Sequence, residues 1–192
     1  FDIQIRGDVD ERLPPAGVAV GVREIEEGTV LERNGVKVIA FEVDHRPIEP
    51  AFGYRIEYGD RVVVLSGDAR KSENLVKFAK GADLIVHEVG AASEELLRTS
   101  PRTKKVVAHH TLPEEVAEIL NRIKPRKAVY SHFAIFGVSA EDVVARTKAH
   151  YSGPITSGVD LMSFTVGDEI EIEVLEGGSG AGETVIPGRT GD

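Results

Sequence analysis

Arg61-Val62-Val63-Val64-Leu65-Ser66-Gly67-Asp68 and, after an intervening segment, Asp83-Leu84-Ile85-Val86-His87-Glu88 are two short apolar runs that each end in titratable residues. Short apolar, β-branched runs bounded by turn residues read as buried strands. Between them residues 72–80 form a short helix, with Leu75, Val76 and Ala79 on one face. Upstream, residues 52–58 pair with 61–66 as a hairpin across Gly59-Asp60, a strong turn signal between apolar runs. Before that hairpin lies a strand over 36–43, and residues 8–35, rich in Pro, Gly and acidic groups, hold short strands around 19–25.

Downstream, residues 105–108 and 127–130 read as further apolar strands. Thr111-Leu112-Pro113-Glu114 has the form of a capping box, and Val116, Ile119, Leu120 and Ile123 then repeat at helical spacing. Residues 139–150 form a helix opened by Ser139-x-x-Asp142, and 161–166 with 169–175 a terminal hairpin. The expectation is an α/β chain with one domain over 1–176 and a flexible Gly-rich tail over 177–192.

A chain of 192 residues fits one domain, which buries roughly 70% of its unfolded surface. With 23 basic and 32 acidic side chains the net charge is −9. That field repels phosphate backbones and anionic membranes, so a nucleic acid partner is unlikely from the balance of charge alone. No apolar run reaches the ~18 residues of a membrane span. With no cysteine, disulfides and thiolate metal sites are excluded. A cytoplasmic location is the default, and any signal peptide would lie upstream of Phe1.

The titratable residues are not scattered. Asp68, His87-Glu88, His109-His110, His132 and His45 each follow an expected strand, so that five of six histidines sit at strand carboxyl ends; His150 does not. In sheets wrapped by helices, the loops beyond those ends converge and bind ligands. Imidazole and carboxylate without thiolate suit zinc, and also iron or manganese. A catalytic zinc takes about three protein ligands and keeps one position for water.

Taken in order, these motifs resemble a known family. Val43-Asp44-His45-Arg46-Pro47 with Pro50-Ala51-Phe52-Gly53-Tyr54-Arg55, then Leu65-Ser66-Gly67-Asp68, Val86-His87-Glu88, His110-Thr111-Leu112-Pro113-Glu114-Glu115 and Tyr130-Ser131-His132 are similar to the later motifs of metallo-β-lactamase-fold hydrolases. The arylsulfatase-like and tRNase Z-like branch is the nearest. Tyr151-Ser152-Gly153-Pro154 and Asp160-Leu161-Met162 extend the resemblance toward the end.

The resemblance implies the carboxy-terminal half of an αββα sandwich, a mixed sheet with helices on its outer face. It also implies a dinuclear zinc centre, in which His45 binds the first metal, Asp68 bridges both and His132 binds the second. His110 would be the general acid and Glu88 its orienting carboxylate. Two departures qualify this. The relatives' His-Glu-Ala-Thr reads His87-Glu88-Val89-Gly90 here, and the signature His-x-His-x-Asp-His is absent from the chain. The resemblance places that signature upstream of Phe1, so the inner sheet face would need the amino-terminal half or another copy of the chain, and a homo-oligomer is expected.

Each residue also has a plainer reading. Ser66-Gly67-Asp68 could be a turn or helix cap, His132 a satisfied strand-end histidine, and His45 part of a surface turn. His110 could cap or pack, and His109 is the alternative acid. A histidine just before a helix feels its positive dipole end, which lowers the pKa. His87 is expected packed, His150 on the surface, and Asp44 with Arg46 structural. The tRNA-processing branch carries a long arm between the positions of His45 and Asp68; here 68 − 45 = 23 residues hold only a hairpin, which disfavours pre-tRNA. A small ester remains: sulfate, phosphate diester, carboxylic ester or lactone. The alternative is a non-catalytic structural half or metal-poor interaction module.

Overall fold

A computed structural model describes residues 21–175 and the backbone of 184–186. The described strands form a seven-stranded sheet in sequence order: β1 (Gly28–Arg33), β2 (Val36–Glu42), β3 (Phe52–Tyr58), β4 (Arg61–Leu65), β5 (Leu84–Ala92), β6 (Lys127–Phe136) and β7 (Ile155–Ser157). Strands β1 to β4 are antiparallel neighbours, and β4 to β7 run parallel. The sheet is therefore mixed. Parallel neighbours need crossovers, and the helices supply them: α1 (Glu73–Ala79), α2 (Glu94–Thr99), α3 (Pro101–Val107), α4 (Pro113–Ile123) and α5 (Ala140–Lys148).

Alternation along the strands divides the apolar residues between two faces. Phe41, Val64, Ile85, Ala128 and Tyr130 pack with Leu75 and Val76 of α1, Val116, Ile119 and Leu120 of α4 and Val143 of α5 in one buried cluster. On the other face Val38, Ile56, Val63, Leu65 and Val86 follow one another in register across β2 to β5 and stay half-buried. A smaller sheet, β8 (Met162–Val166), β9 (Ile170–Val174) and β10 (Thr184–Ile186), is tied on by Arg126, which donates to the carbonyls of Gly167 (2.9 Å) and Asp168 (2.5 Å).

The hairpin across Gly59-Asp60 forms as expected, with Gly59 at φ 59°. Three expectations need correction. Residues 105–108 are not a strand: 105–107 end helix α3, and Ala108 caps it. Ser100 starts that helix by accepting from the Thr103 amide (3.2 Å), with Pro101 in its first turn. The strands around 19–25 do not form within 21–25, and the first described strand is β1; residues 19 and 20 lie outside the described residues. Thr111 does not cap α4. Its hydroxyl donates to the Ala69 carbonyl (2.7 Å), and Glu115 instead reaches back to the Leu112 amide (3.0 Å). The Ser139–Asp142 box forms in both directions. The expected tail lies almost wholly outside the described residues.

Candidate active site

The loops carrying His45, Asp68 and His109-His110 meet Glu88 of β5 and His132 of β6, which lie within their strands and not, as the sequence suggested, beyond their ends. Asp68 is presented there by a turn only glycine can make. Gly67 has φ 64°, and a Cβ on it would lie 2.3 Å from the Phe52 carbonyl oxygen. Ser66 fixes the same turn: its hydroxyl donates to the Gly67 carbonyl (2.7 Å) and accepts from the Glu88 amide (3.0 Å).

His45, 7% exposed, donates from Nδ1 to the His109 carbonyl (3.0 Å), which leaves Nε2 facing Asp68 Oδ2 at 4.0 Å. His132 approaches the same oxygen from β6, with Nε2 at 3.2 Å and its backbone at φ 46°. Left-handed backbone is uncommon outside glycine. Here it re-aims the side chain in mid-strand, beside the point where the β5–β6 register shifts. Asp68 Oδ2 is thus shared by two imidazoles.

The His110 ring stands 5.5 Å from that of His45 and 5.6 Å from that of His132. Its Nδ1 donates to Glu88 Oε2 (2.7 Å), while Glu88 Oε1 accepts from the Thr111 amide (2.7 Å). The hydrogen bond to Glu88 raises the pKa of His110 above its ordinary value, outweighing burial. The expected lowering by a helix dipole is therefore corrected: a buried carboxylate in contact outweighs a dipole that falls off within about a turn. Of the adjacent pair, His109 turns away and donates from Nδ1 to the Arg46 carbonyl (2.8 Å).

The remaining candidates fall where packing takes them. His87 is 1% exposed; Nδ1 donates to the Glu88 carbonyl (2.6 Å), Nε2 has no partner, and burial lowers its pKa. His150 is exposed after α5. Arg46 donates to Asp44 from its backbone and guanidinium, and this holds the Asp44 carboxyl well below the usual range. Nothing in the sequence marked Ser66, Thr111 and Gly90 as supports of the Glu88–His110 pair. A Cβ on Gly90 would lie 2.5 Å from His110 Cβ, so the position that departs from the family motif is the one that lets His110 close onto Glu88.

A cavity of about 280 Å³ opens beside the cluster, lined by Asp68, Ser131, His132, the end of β4 and Val86 to Glu88 within β5. Among the described residues, no group of three or more His, Cys, Asp or Glu is gathered in a form able to hold a metal ion. The donor set nevertheless fits zinc in kind: two imidazole nitrogens are turned to one carboxylate oxygen, and His45 is fixed through its other nitrogen, as zinc-ligating histidines are.

A family model described as the beta-lactamase superfamily domain matches residues 3–133. The chain is 32% identical over 162 residues to the ribonuclease Z of Mycolicibacterium paratuberculosis, covering 82% of this chain and 56% of that protein. It is 35% identical over 156 residues to the ribonuclease Z of Mycobacterium sp. (strain KMS), covering 79% and 53%. The chain thus spans about half the length of these relatives. Among solved structures, the metallo-beta-lactamase fold protein YhfI of Bacillus subtilis superposes with a TM-score of 0.55 at 18% identity, over 67% of this chain and 48% of that one.

Proposed function

Because the chain belongs to the beta-lactamase superfamily and has the metallo-beta-lactamase fold, we propose that it is part of a metal-dependent hydrolase of phosphate diesters. His45, Asp68 and His132 would hold zinc, with iron or manganese as substitutes. Two ions are expected when the further ligands come from an amino-terminal portion or a second copy of the chain. Zinc lowers the pKa of bound water to about 7 and so makes hydroxide available at neutral pH.

The chain's own residues do the rest. Glu88 accepts a hydrogen bond from His110 Nδ1–H and so fixes the ring orientation. As the imidazolium that Glu88 favours, His110 also carries a proton on Nε2 and would deliver it to the departing oxygen, which makes His110 the general acid and Glu88 its positioning residue. Thr111, through its amide on Glu88, and Ser66, through the Glu88 amide, keep that carboxylate in place.

Among the esters compatible with the sequence, relatives named ribonuclease favour the phosphate diester, in a small molecule or in an RNA strand. The observation that carries the reading is the sharing of Asp68 Oδ2 by His45 and His132, with His110 beside both rings. The test is zinc content with hydrolysis of bis(p-nitrophenyl) phosphate, for the chain alone and mixed with an amino-terminal portion carrying His-x-His-x-Asp-His. Asp68→Ala and His132→Ala are expected to lose both metal and turnover. His110→Ala is expected to keep metal and lose turnover. Metal and turnover that survive both ligand substitutions would end this reading of the site, whereas no metal and no turnover with the amino-terminal portion present would favour a non-catalytic half.

A further inference from the structure

Of the two adjacent histidines, His110 faces the site, whereas the half-buried His109 is bound to the loop of His45. His109 Nδ1 donates to the Arg46 carbonyl (2.8 Å), and the His109 carbonyl accepts from His45 Nδ1 (3.0 Å). The two bonds run in opposite directions between the same two loops and close them into a clasp. Among the described residues no backbone–backbone hydrogen bond joins residues 44–50 to residues 106–112. The connection between the loop of His45 and that of His110 is therefore made by these two side chains.

The loop of Asp68 joins at the same point. Arg70 donates from its backbone to the Asp44 carbonyl (2.7 Å) and from its guanidinium to the Arg46 carbonyl (3.1 Å). That carbonyl has two lone pairs, and His109 and Arg70 use both. A carbonyl only accepts, so His109 Nδ1 carries a proton, and Arg70 Nη2, 3.5 Å from that nitrogen, serves the oxygen instead. The same logic assigns the tautomer of His45. With Nδ1–H held by the His109 carbonyl, Nε2 is the unprotonated nitrogen, and Nε2 is the one turned to Asp68 Oδ2. A metal-ligating imidazole needs that lone pair free of a proton.

We propose that His109 is a positioning residue for the metal site: by holding the Arg46 carbonyl it keeps its own carbonyl on His45 Nδ1, and so keeps the His45 Nε2 lone pair directed at Asp68. The role rests on the reading of His45 as a metal ligand. It also couples that ligand to the acid, because His110 follows His109 directly and its ring stands 5.5 Å from that of His45. Asn carries an N–H close to where His109 has Nδ1–H, whereas Gln carries its amide one bond further out. The two amides thus separate the position of the donor from its mere presence.

The test is a long-range proton–nitrogen NMR spectrum of the isotope-labelled full chain, in EDTA at about pH 8, where ordinary imidazoles are neutral. It reads the tautomer of His45 with no metal and no turnover. The unsubstituted chain is expected to show His45 protonated on Nδ1 alone. His109→Ala is expected to release it into a mixture with the Nε2–H form, His109→Asn to restore the single form, and His109→Gln to leave the mixture. Ser139→Ala removes a helix cap outside this cluster, controls for lost stability and is expected to keep the single form. A mixture in the unsubstituted chain, a single form retained in His109→Ala, no difference between the Asn and Gln variants, or an equal mixture in Ser139→Ala would each overturn the proposal. Zinc titration against a chromophoric chelator reads the consequence, a loss of affinity of roughly 10–100-fold in His109→Ala that His109→Asn largely restores. An unchanged affinity beside a changed tautomer would overturn the proposal as well. Zinc held as tightly by His45→Ala as by the unsubstituted chain sinks the reading of His45 as a ligand, whatever the tautomer shows.

Discussion

Glu88 is 2% exposed and divides its two carboxylate oxygens between His110 Nδ1 and the Thr111 amide. Removing its charge while keeping its shape separates orientation from packing. Glu88→Gln is expected to lower turnover by about 100-fold with zinc content unchanged, since an oriented general acid contributes roughly 10²–10⁴-fold; loss of zinc would instead make Glu88 part of the metal site. Gly90 carries a complementary prediction. Gly90→Ala places a Cβ 2.5 Å from His110 Cβ in a packed interior, and urea unfolding is expected to show a loss of about 1–3 kcal/mol along with reduced turnover. In sequence, Val89-Gly90 read as a departure that weakened the relay. The motif's identity was visible, but not the close approach that makes a missing Cβ an advantage.

Secondary-structure elements were legible where a pattern ran long enough or a turn was chemically distinctive. The β3–β4 hairpin, α4 with its apolar spacing, and α5 with its reciprocal cap are such cases. Residues 105–108 were not legible as helix, because four residues with two adjacent valines fit strand and helix alike. The deciding signal was Ser100-Pro101, a cap and a first-turn proline just upstream. That assignment matters for the site: His109 and His110 leave a helix, not a strand, although His110 still reaches Glu88 of β5. Ser100 also ends α2, its amide donating to the Leu96 carbonyl, so one residue joins two short helices. Ser100→Ala is expected to cost about 1 kcal/mol by urea unfolding. The cap lost from α5 by Ser139→Ala is expected to cost similar stability.

Across the whole chain, the candidate site emerged from sequence as an order of motifs, while the distances that join them depend on a sheet whose parallel half brings β4, β5 and β6 side by side. The same assembly buries two histidines in opposite electrostatic surroundings, and this gives stability a pH dependence of known sign. Burial holds His87 below its ordinary 6.5, so the unfolded chain takes up this proton more readily; stability is intact above about pH 6.5 and declines as pH falls below it. Glu88 holds His110 above 6.5, so its contribution is complete below about pH 6.5 and is lost as pH rises through the folded value. Each slope is limited to about 1.4 kcal/mol per pH unit for one proton. Glu114, held below its ordinary 4.5 by Arg146, adds a further loss only at more acidic pH. Urea midpoints measured in EDTA are therefore expected to peak near pH 6.5. His87→Gln should remove the decline on the acid side down to about pH 5, and Glu88→Gln the decline on the alkaline side. A curve that keeps both shoulders in both variants would show that neither histidine sets the titration, and that the buried imidazoles exchange protons as freely as in the unfolded chain.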